Sequence, residues 1–415
     1  MNFRYISYAF YAVKKFGLKG VFDYIVRKPR ERRFRQFLEN TLRAAPPEKG
    51  ITLITCFDNS CSLSKVMRDL ALVLKKVGIP YQTLNIPCSN PIPRNEFASF
   101  MTPEEDFCLN KYTNIITMRN PLGVPDDRCT VHCIAFWEFE DGFVESCPEV
   151  VRAQNVLALS DFNRDVFRKC LPSSIHVDKA LYPFQFMHGK LNSIELTRKK
   201  YGIAENDFVV FFNFDYASSY FRKNPEGILQ AFARSLSDKS DAKIVFKTMR
   251  AKKCMKMNKR LHSLADKLGL TDRLITIDDF IPQEELVNLT NACDVYMSLH
   301  RGEGFGLGIA EAMSLGKAVV VTDYSATTEF CNSENAITVP YKIVKVPASQ
   351  IDTDDYKYVK LWAEPDIDAA ANALRRLYDD PTLRKTIGEK GRAFVCDYFS
   401  AEKIAESLKN LLGIS

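Results

Sequence analysis

Two glutamates, Glu303 and Glu311, lie eight residues apart and bracket the stretch Gly304-Phe305-Gly306-Leu307-Gly308. Carboxylates accept hydrogen bonds from hydroxyl groups. A glycine-rich turn that enters a helix leaves backbone N–H groups free at the positive end of the helix dipole, where anions bind. Together they suit a phosphate flanked by polyols. Cations that could share the anion occur upstream, at Arg222-Lys223 and at Lys247. His300, just ahead of Glu303, is a further candidate for bonding a hydroxyl or a phosphate.

Local patterning shows how these residues would be held. Val295–Leu299 is a short apolar run sized for a buried strand, His300–Glu303 is a polar loop, and Ile309–Leu315 is rich in helix formers. Gly316 is placed to cap that helix, and Ala318–Thr322 reads as a second buried strand, so the stretch forms one βαβ unit. Phe208–Phe214 is a nearly continuous apolar run, as a buried parallel strand should be. After it, Asn224 suits an N-cap, Pro225 the first helical position and Glu226 the first turn, which puts Arg222 and Lys223 beside a helix N-terminus. Lys243–Lys247 is the next strand, with Lys247 at its C-terminal end, and ligands of open α/β sheets bind outside those ends. Asp279-Phe280-Ile281-Pro282 then joins a strand over Leu274–Ile277 to a helix over Gln283–Asn291.

The whole of Ser298–Phe330, with its Glu-Gly-Phe-Gly tetrapeptide, its Glu311-Ala312-Met313 helix, Gly316, the following strand and Glu329, resembles the signature of the group 1 (family 4-like) retaining glycosyltransferases of bacterial polysaccharide and glycan type. The resemblance is strongest over residues 205–412, weaker over 50–190 and absent over 1–49. It implies an α/β fold of GT-B type, with two Rossmann-like domains whose parallel sheets face a central cleft. It implies a nucleotide-diphosphate sugar as donor, a glycan or lipid-linked saccharide as acceptor, retention of configuration, and neither metal nor cofactor. By the same resemblance Glu303 contacts the transferred sugar, Glu311 the ribose, and Gly304, Phe305, Gly306 and Leu307 the donor through the glycine turn. Arg222, Lys223 and Lys247 neutralise the pyrophosphate, with Glu303, Lys223 and Arg222 as the catalytic set, and Phe280 and Ile281 present backbone groups to the base. The leaving phosphate takes the acceptor proton. Related bacterial sugar transferases look similar at Trp137-Glu138, which would face the acceptor. One departure stands out: the first βα loop, Asp58–Ser64, lacks the glycines that usually approach the pyrophosphate. The alternative reading is a catalytically inactive sugar-nucleotide-binding subunit. Such a chain would lose Glu303 or the cations, and all are present.

Strands alternating with helices imply parallel sheets. The expected divisions are a helical extension over 1–49, a first domain over 50–190, a donor domain over 191–375 and closing helices over 376–415, the last crossing back to the first domain. Residues 184–197 read as a polar linker, and Trp362–Asp366 as the opening of helical sequence that runs to Tyr378. Residues 1–49 hold 12 Lys+Arg and 4 Asp+Glu, a net of 12 − 4 = +8, against +6 for all 415 residues. Aromatics at helical spacing among these basic residues suit an anionic membrane surface. The near-neutral remainder excludes a nucleic-acid footprint. No C-x2-C pair occurs among the 12 cysteines, and Cys129, His132 and Cys133 would point to different faces of a strand, so no zinc site is expected. No secretory signal is recognisable. A cytoplasmic protein, peripheral at the inner face of the membrane, is the expectation.

Overall fold

The structure, a computed structural model, describes residues 36–59, 61–86, 97–119, 127–185 and 191–414. Most of the basic extension, residues 1–35, lies outside the described residues, as does its expected membrane contact. Residues just after it are docked. Leu38 is buried with Ile54, Leu84 and Ile115, and Arg43 exchanges two backbone hydrogen bonds with the Asn110 amide, at 2.9 and 2.8 Å.

Two six-stranded parallel sheets carry the fold. The first contains β1 (Glu48–Thr55), β2 (Tyr81–Asn85), β3 (Tyr112–Met118), β4 (Thr130–Ala135), β5 (Asn155–Ala158) and β6 (His176–Lys179), in the order β2-β1-β3-β4-β5-β6. The second contains β7 (Phe208–Asp215), β8 (Ala242–Met249), β9 (Leu274–Ile277), β10 (Val295–Ser298), β11 (Ala318–Thr322) and β12 (Ile337–Val339), in the order β12-β11-β10-β7-β8-β9. The central strands are apolar on both faces, as in β7 and β11, while β6 at one sheet edge is His-Val-Asp-Lys with two exposed residues. The expected α/β fold of two Rossmann-like halves is thus present. The C-terminal helix Ala401–Leu412 leaves the second half and packs on the helix Ser62–Val77 of the first. Leu181 N–H donates to Ser407 Oγ at 3.3 Å and Asn114 Nδ2 to the Leu412 carbonyl at 3.2 Å.

Two local expectations are corrected. The helix Ile194–Lys200 begins inside the stretch read as a linker, with Ser193 as its N-cap. Its Arg198 is buried and donates to the carbonyls of Ala292, Glu205 and Asp207 and to the Asp294 carboxylate. The stretch from Trp362 does not open a helix. Leu361–Pro365 is a strand, β14, paired antiparallel with β13 (Tyr341–Lys345) in register Lys345↔Leu361 to Tyr341↔Pro365. Pro365 disfavours the helical region for the residue before it, and the helix starts only at Ile367, capped by Asp366. This hairpin pairs with neither six-stranded sheet.

Candidate active site

The chemistry-bearing residues sit just beyond the C-terminal ends of the parallel strands. So does backbone strain. Among the described residues, the non-glycine residues with positive φ are Arg119, Ser219, Asn224, Arg250 and Ser325. They follow β3, β7, β8 and β11, with two of the five after β7. Each such conformation costs on the order of 1–3 kcal/mol and persists only where surrounding contacts impose it.

Those contacts are explicit around Arg222 and Lys223, which form one helical turn, Tyr220–Lys223, between Ser219 and Asn224. Asn224 Oδ1 accepts from Gly227 N–H at 3.1 Å, capping the helix Pro225–Leu236. Its Nδ2 donates to the Leu299 carbonyl at 2.9 Å. The loop after β10 is zipped to the same turn: Arg301 N–H donates to the Arg222 carbonyl, and Arg222 Nη1 to the Gly302 carbonyl, both at 2.8 Å. Arg222, only 2% exposed, also donates from Nη2 to the Ser218 carbonyl and hydroxyl. Glu303 is delivered onto these cations. Its Oε2 lies 2.5 Å from Lys223 Nζ and 3.5 Å from Arg222 Nη1. Its N–H donates to Ser325 Oγ at 2.9 Å, which gives the strained Ser325 its purpose. Burial alone would raise the Glu303 carboxyl, but Lys223 and Arg222 outweigh it and hold the group down at about 2. Burial pulls the Lys223 ammonium below the usual lysine range, against the pull of Glu303.

Gly306 opens the helix Leu307–Ser314 with φ +94° and no side-chain cap, so no side chain occupies the Leu307 and Gly308 N–H groups, an arrangement that favours an anion. A Cβ there would lie 2.6 Å from Thr327 Cγ2. One at Gly308 would lie 2.4 Å from the Tyr296 hydroxyl, so glycine lets this helix sit directly on β10. Glu311, in the second turn, is 5% exposed and faces Lys65 and Asp69 of the first half. Burial raises its carboxyl to about 7, with Gln283 hydrogen-bonded to it. The turn carrying Phe280 and Ile281 precedes Gln283, and Phe280 is 64% exposed. Nothing in the described residues covers that ring. The glycine-free loop before the helix Ser62–Val77 supplies Cys61 as N-cap, without a side-chain cap bond.

Four expected contacts are revised. Trp137 is fully buried, its Nε1 on the Asp141 carbonyl at 2.7 Å and its ring against Phe139, Phe143 and Tyr356, so it cannot touch an acceptor. His300 is likewise fully buried. Its Nε2 donates to the Tyr324 carbonyl and its Nδ1 accepts from Ser298 Oγ, both at 3.2 Å, and burial lowers it to about 4. It fixes the loop that holds Ser325 and offers no nitrogen to a ligand. Phe305 stacks on Tyr182 with ring centroids 3.6 Å apart, so its side chain is taken up by the core and only its backbone stays open to a ligand. β8 extends two residues past Lys247, whose buried ammonium donates to the Thr248 carbonyl at 2.9 Å and faces Asp278 and Asp215. It makes no hydrogen bond to the Glu303 cluster.

Glu138, by contrast, lies against the glycine turn. A Cβ on Gly304 would be 3.6 Å from Glu138 Oε1, and one on Gly302 would be 2.5 Å from its carbonyl oxygen. Two neighbours were not foreseen. Arg119 follows β3 and faces Glu138, a position that the rule for strand C-termini could have flagged. Tyr356 comes from the loop of the hairpin β13–β14, and no local signal marks it. No group of His, Cys, Asp and Glu suited to a metal ion occurs among the described residues.

The family model for glycosyl transferases group 1 matches residues 193–394. No curated protein matches the chain. Among solved structures, HepE of Anabaena in complex with UDP and glucose aligns with a TM-score of 0.60 at 16% identity, covering 88% of this chain and 100% of that one. Sucrose-phosphate synthase from Thermosynechococcus elongatus aligns at 0.59 and 16%, covering 88% and 98%. WaaG, a glycosyltransferase involved in lipopolysaccharide biosynthesis, aligns at 0.56 and 15%, covering 86% and 98%. At such identities the likeness is one of fold. The matched region contains the second sheet and the Arg222–Lys223–Glu303 cluster, and the two-sheet architecture is shared across nearly nine-tenths of the chain; residues 193–394 thus match the group 1 glycosyl transferases, and the chain as a whole has the GT-B fold of these solved structures.

Proposed function

We propose that this enzyme transfers a sugar from a nucleoside-diphosphate donor to a hydroxyl of a glycan or lipid-linked saccharide, with retention of configuration and without a metal ion. The observation that carries the reading is the Glu303 carboxylate clamped by Lys223 and Arg222 at the open N-terminus of the helix Leu307–Ser314. Two cations and a helix dipole in one place suit a diphosphate that gains charge as its bond to the sugar breaks. When the donor arrives, Lys223 and Arg222 turn their free N–H groups to the phosphates, and Glu303 accepts from sugar hydroxyls. The bond from the anomeric carbon to the phosphate oxygen breaks, the acceptor oxygen takes its place on the same face, and the acceptor proton leaves with the phosphate. Gln283 ties the turn of Phe280 and Ile281 to Glu311, which supports a nucleoside lying there with its ribose on Glu311. UDP in the HepE structure makes UDP the first nucleotide to try here. Retaining both Glu303 and its cations argues against an inactive subunit.

The basic residues of the extension support a second element of the proposal, reversible attachment to anionic membrane where a lipid-linked acceptor resides. Each such residue near the surface is worth about 1 kcal/mol.

The test is release of nucleoside diphosphate from UDP-, GDP- and ADP-sugars with glycan acceptors present, in EDTA and in Mg²⁺. Activity abolished by EDTA and restored by Mg²⁺ would remove the metal-independent mechanism. NMR of the product reads its anomeric configuration. Sedimentation with anionic vesicles, for the full chain and for a chain starting at Gly50, decides the membrane element: equal pelleting would exclude the extension.

A further inference from the structure

The loop between β13 and β14, residues 346–360, crosses from the second half of the protein to the first. Lys360 N–H donates to the Asp141 carboxylate at 3.1–3.2 Å, and the Tyr358 backbone abuts Gly142 so closely that a Cβ there would be 3.1 Å from it. Between these anchors the loop inserts Tyr356. Its ring meets Phe139 edge-on at 5.1 Å and Trp137 at 5.7 Å, and the Arg222 guanidinium lies over it at 5.5 Å. The ring is only partly buried, and its hydroxyl makes no hydrogen bond to a described residue.

Around this ring the protein leaves polar atoms unanswered. Arg119 Nε, Glu138 Oε2 and Arg222 Nε are buried and have no hydrogen-bond partner among the described residues. A buried unpaired donor or acceptor costs about 1–3 kcal/mol, more when charged, so three in one place mark a position that a ligand completes. Arg119 is held there by a strained backbone, φ +58°, and by its N–H on the Ile134 carbonyl at 2.9 Å. The first sheet thus presents a cation and a carboxylate side by side, beside the glycine turn that carries Glu303.

We propose that Arg119, Glu138 and Tyr356 form the subsite for the pyranoside ring that accepts the transferred sugar, and that the inserted loop, by supplying Tyr356, selects which ring enters. A pyranoside has an apolar face for an aromatic ring, hydroxyl hydrogens for Glu138 and hydroxyl oxygens for Arg119 and Tyr356. A phosphate suits the set less, because Glu138 would oppose it. The inference rests on the donor reading above, since it places the acceptor beside Glu303.

Saturation-transfer NMR on the full chain tests it, with methyl pyranosides of glucose, galactose, mannose, rhamnose and N-acetylglucosamine, with and without UDP. UDP affinity is measured separately by calorimetry. At least one pyranoside should bind wild type, and its affinity should fall by about fivefold or more in Arg119→Gln and in Tyr356→Phe, the scale of one lost hydrogen bond. UDP affinity should stay within about twofold, because neither change removes a phosphate contact. The subsite is overturned if no pyranoside binds, if both variants bind it as wild type does, or if UDP affinity falls in step with pyranoside affinity. Failure of wild type to bind UDP, GDP or ADP overturns the donor reading instead, while the comparison made without nucleotide still decides the subsite. Should Arg119→Gln not fold, the conservative Tyr356→Phe decides alone.

Discussion

The Glu329 carboxylate accepts the Asp161 N–H at 2.9 Å, so the acid that closes the sequence motif of the second half caps a helix of the first. The same carboxylate, 4% exposed, pairs with Lys179 and accepts from the Tyr398 hydroxyl. One side chain therefore joins β6, the helix Asp161–Cys170 and the helix Pro381–Tyr398 of the second half. Glu329→Ala removes the acceptor of the Asp161 N–H and one of two carboxylates on Lys179, leaving the lysine on Asp161 and the helix with its Ser160 cap. It should cost about 2–3 kcal/mol in urea unfolding, and Tyr398→Phe about 1. A loss under about 0.5 kcal/mol for Glu329→Ala would show that the halves do not depend on this junction.

Glu303→Gln keeps the volume of the side chain and removes its charge. Sugar transfer should fall by about 10²-fold or more, the scale of one well-aimed charged group. Turnover within a few-fold of wild type would exclude Glu303 from the reaction. The pH signature is separate. The folded carboxyl sits near 2 and the unfolded one at 4.5, so its stabilisation is complete above 4.5 and is lost as pH falls toward 2. Urea melts at pH 6 and pH 3 should show Glu303→Gln losing less stability over that interval than wild type, by on the order of 2–3 kcal/mol.

Glu311 has the opposite sign. Its folded value near 7 exceeds the unfolded 4.5, so the folded state holds a proton that the unfolded state has released, and stability drains away as pH rises from 4.5 to 7. Asp69, raised by burial to about 6 and bonded to Lys65 at 2.6 Å, adds to the same trend. Glu311→Gln should therefore be more stable than wild type at pH 8 than at pH 5, by on the order of 2–3 kcal/mol. A constant difference across that range would mean that the carboxylate stays charged. Nucleotide should bind more weakly to the same variant.

Gly306→Ala forces a methyl to within 2.6 Å of Thr327 Cγ2 at φ +94°. We expect a loss of about 2–4 kcal/mol by thermal unfolding, strain and overpacking together. Gly78→Ala, with φ +73° but nothing within 4 Å, should lose only the conformational part, about 1 kcal/mol. Equal losses at both positions would remove close approach to Thr327 as a cause.

The βαβ unit around Glu303, the Asn224-Pro225 helix start and most of both parallel sheets were legible in the sequence, because each depends on neighbours along the chain. Buried parallel strands are apolar throughout, caps follow from one side chain, and Gly316 terminates its helix with φ +72°. What lay beyond reach depended on residues distant in sequence. The strand Leu361–Pro365 exists through pairing with Tyr341–Lys345 across an intervening loop, and only the proline after Glu364 hinted against a helix. Trp137, His300 and Phe305 have side chains suited to ligands, and the fold turns all three inward: Phe139, Phe143 and Tyr356 enclose the first, Ser298 and Tyr324 satisfy the second, and Tyr182 covers the third. Arg119, Glu138 and Tyr356 come from three separate stretches of the chain and meet only where the two sheets and the hairpin close on one another. Residue types and spacing singled out the cluster of Arg222, Lys223 and Glu303. Packing decided which side chains reach it, because burial is a property of contacts between residues far apart in sequence.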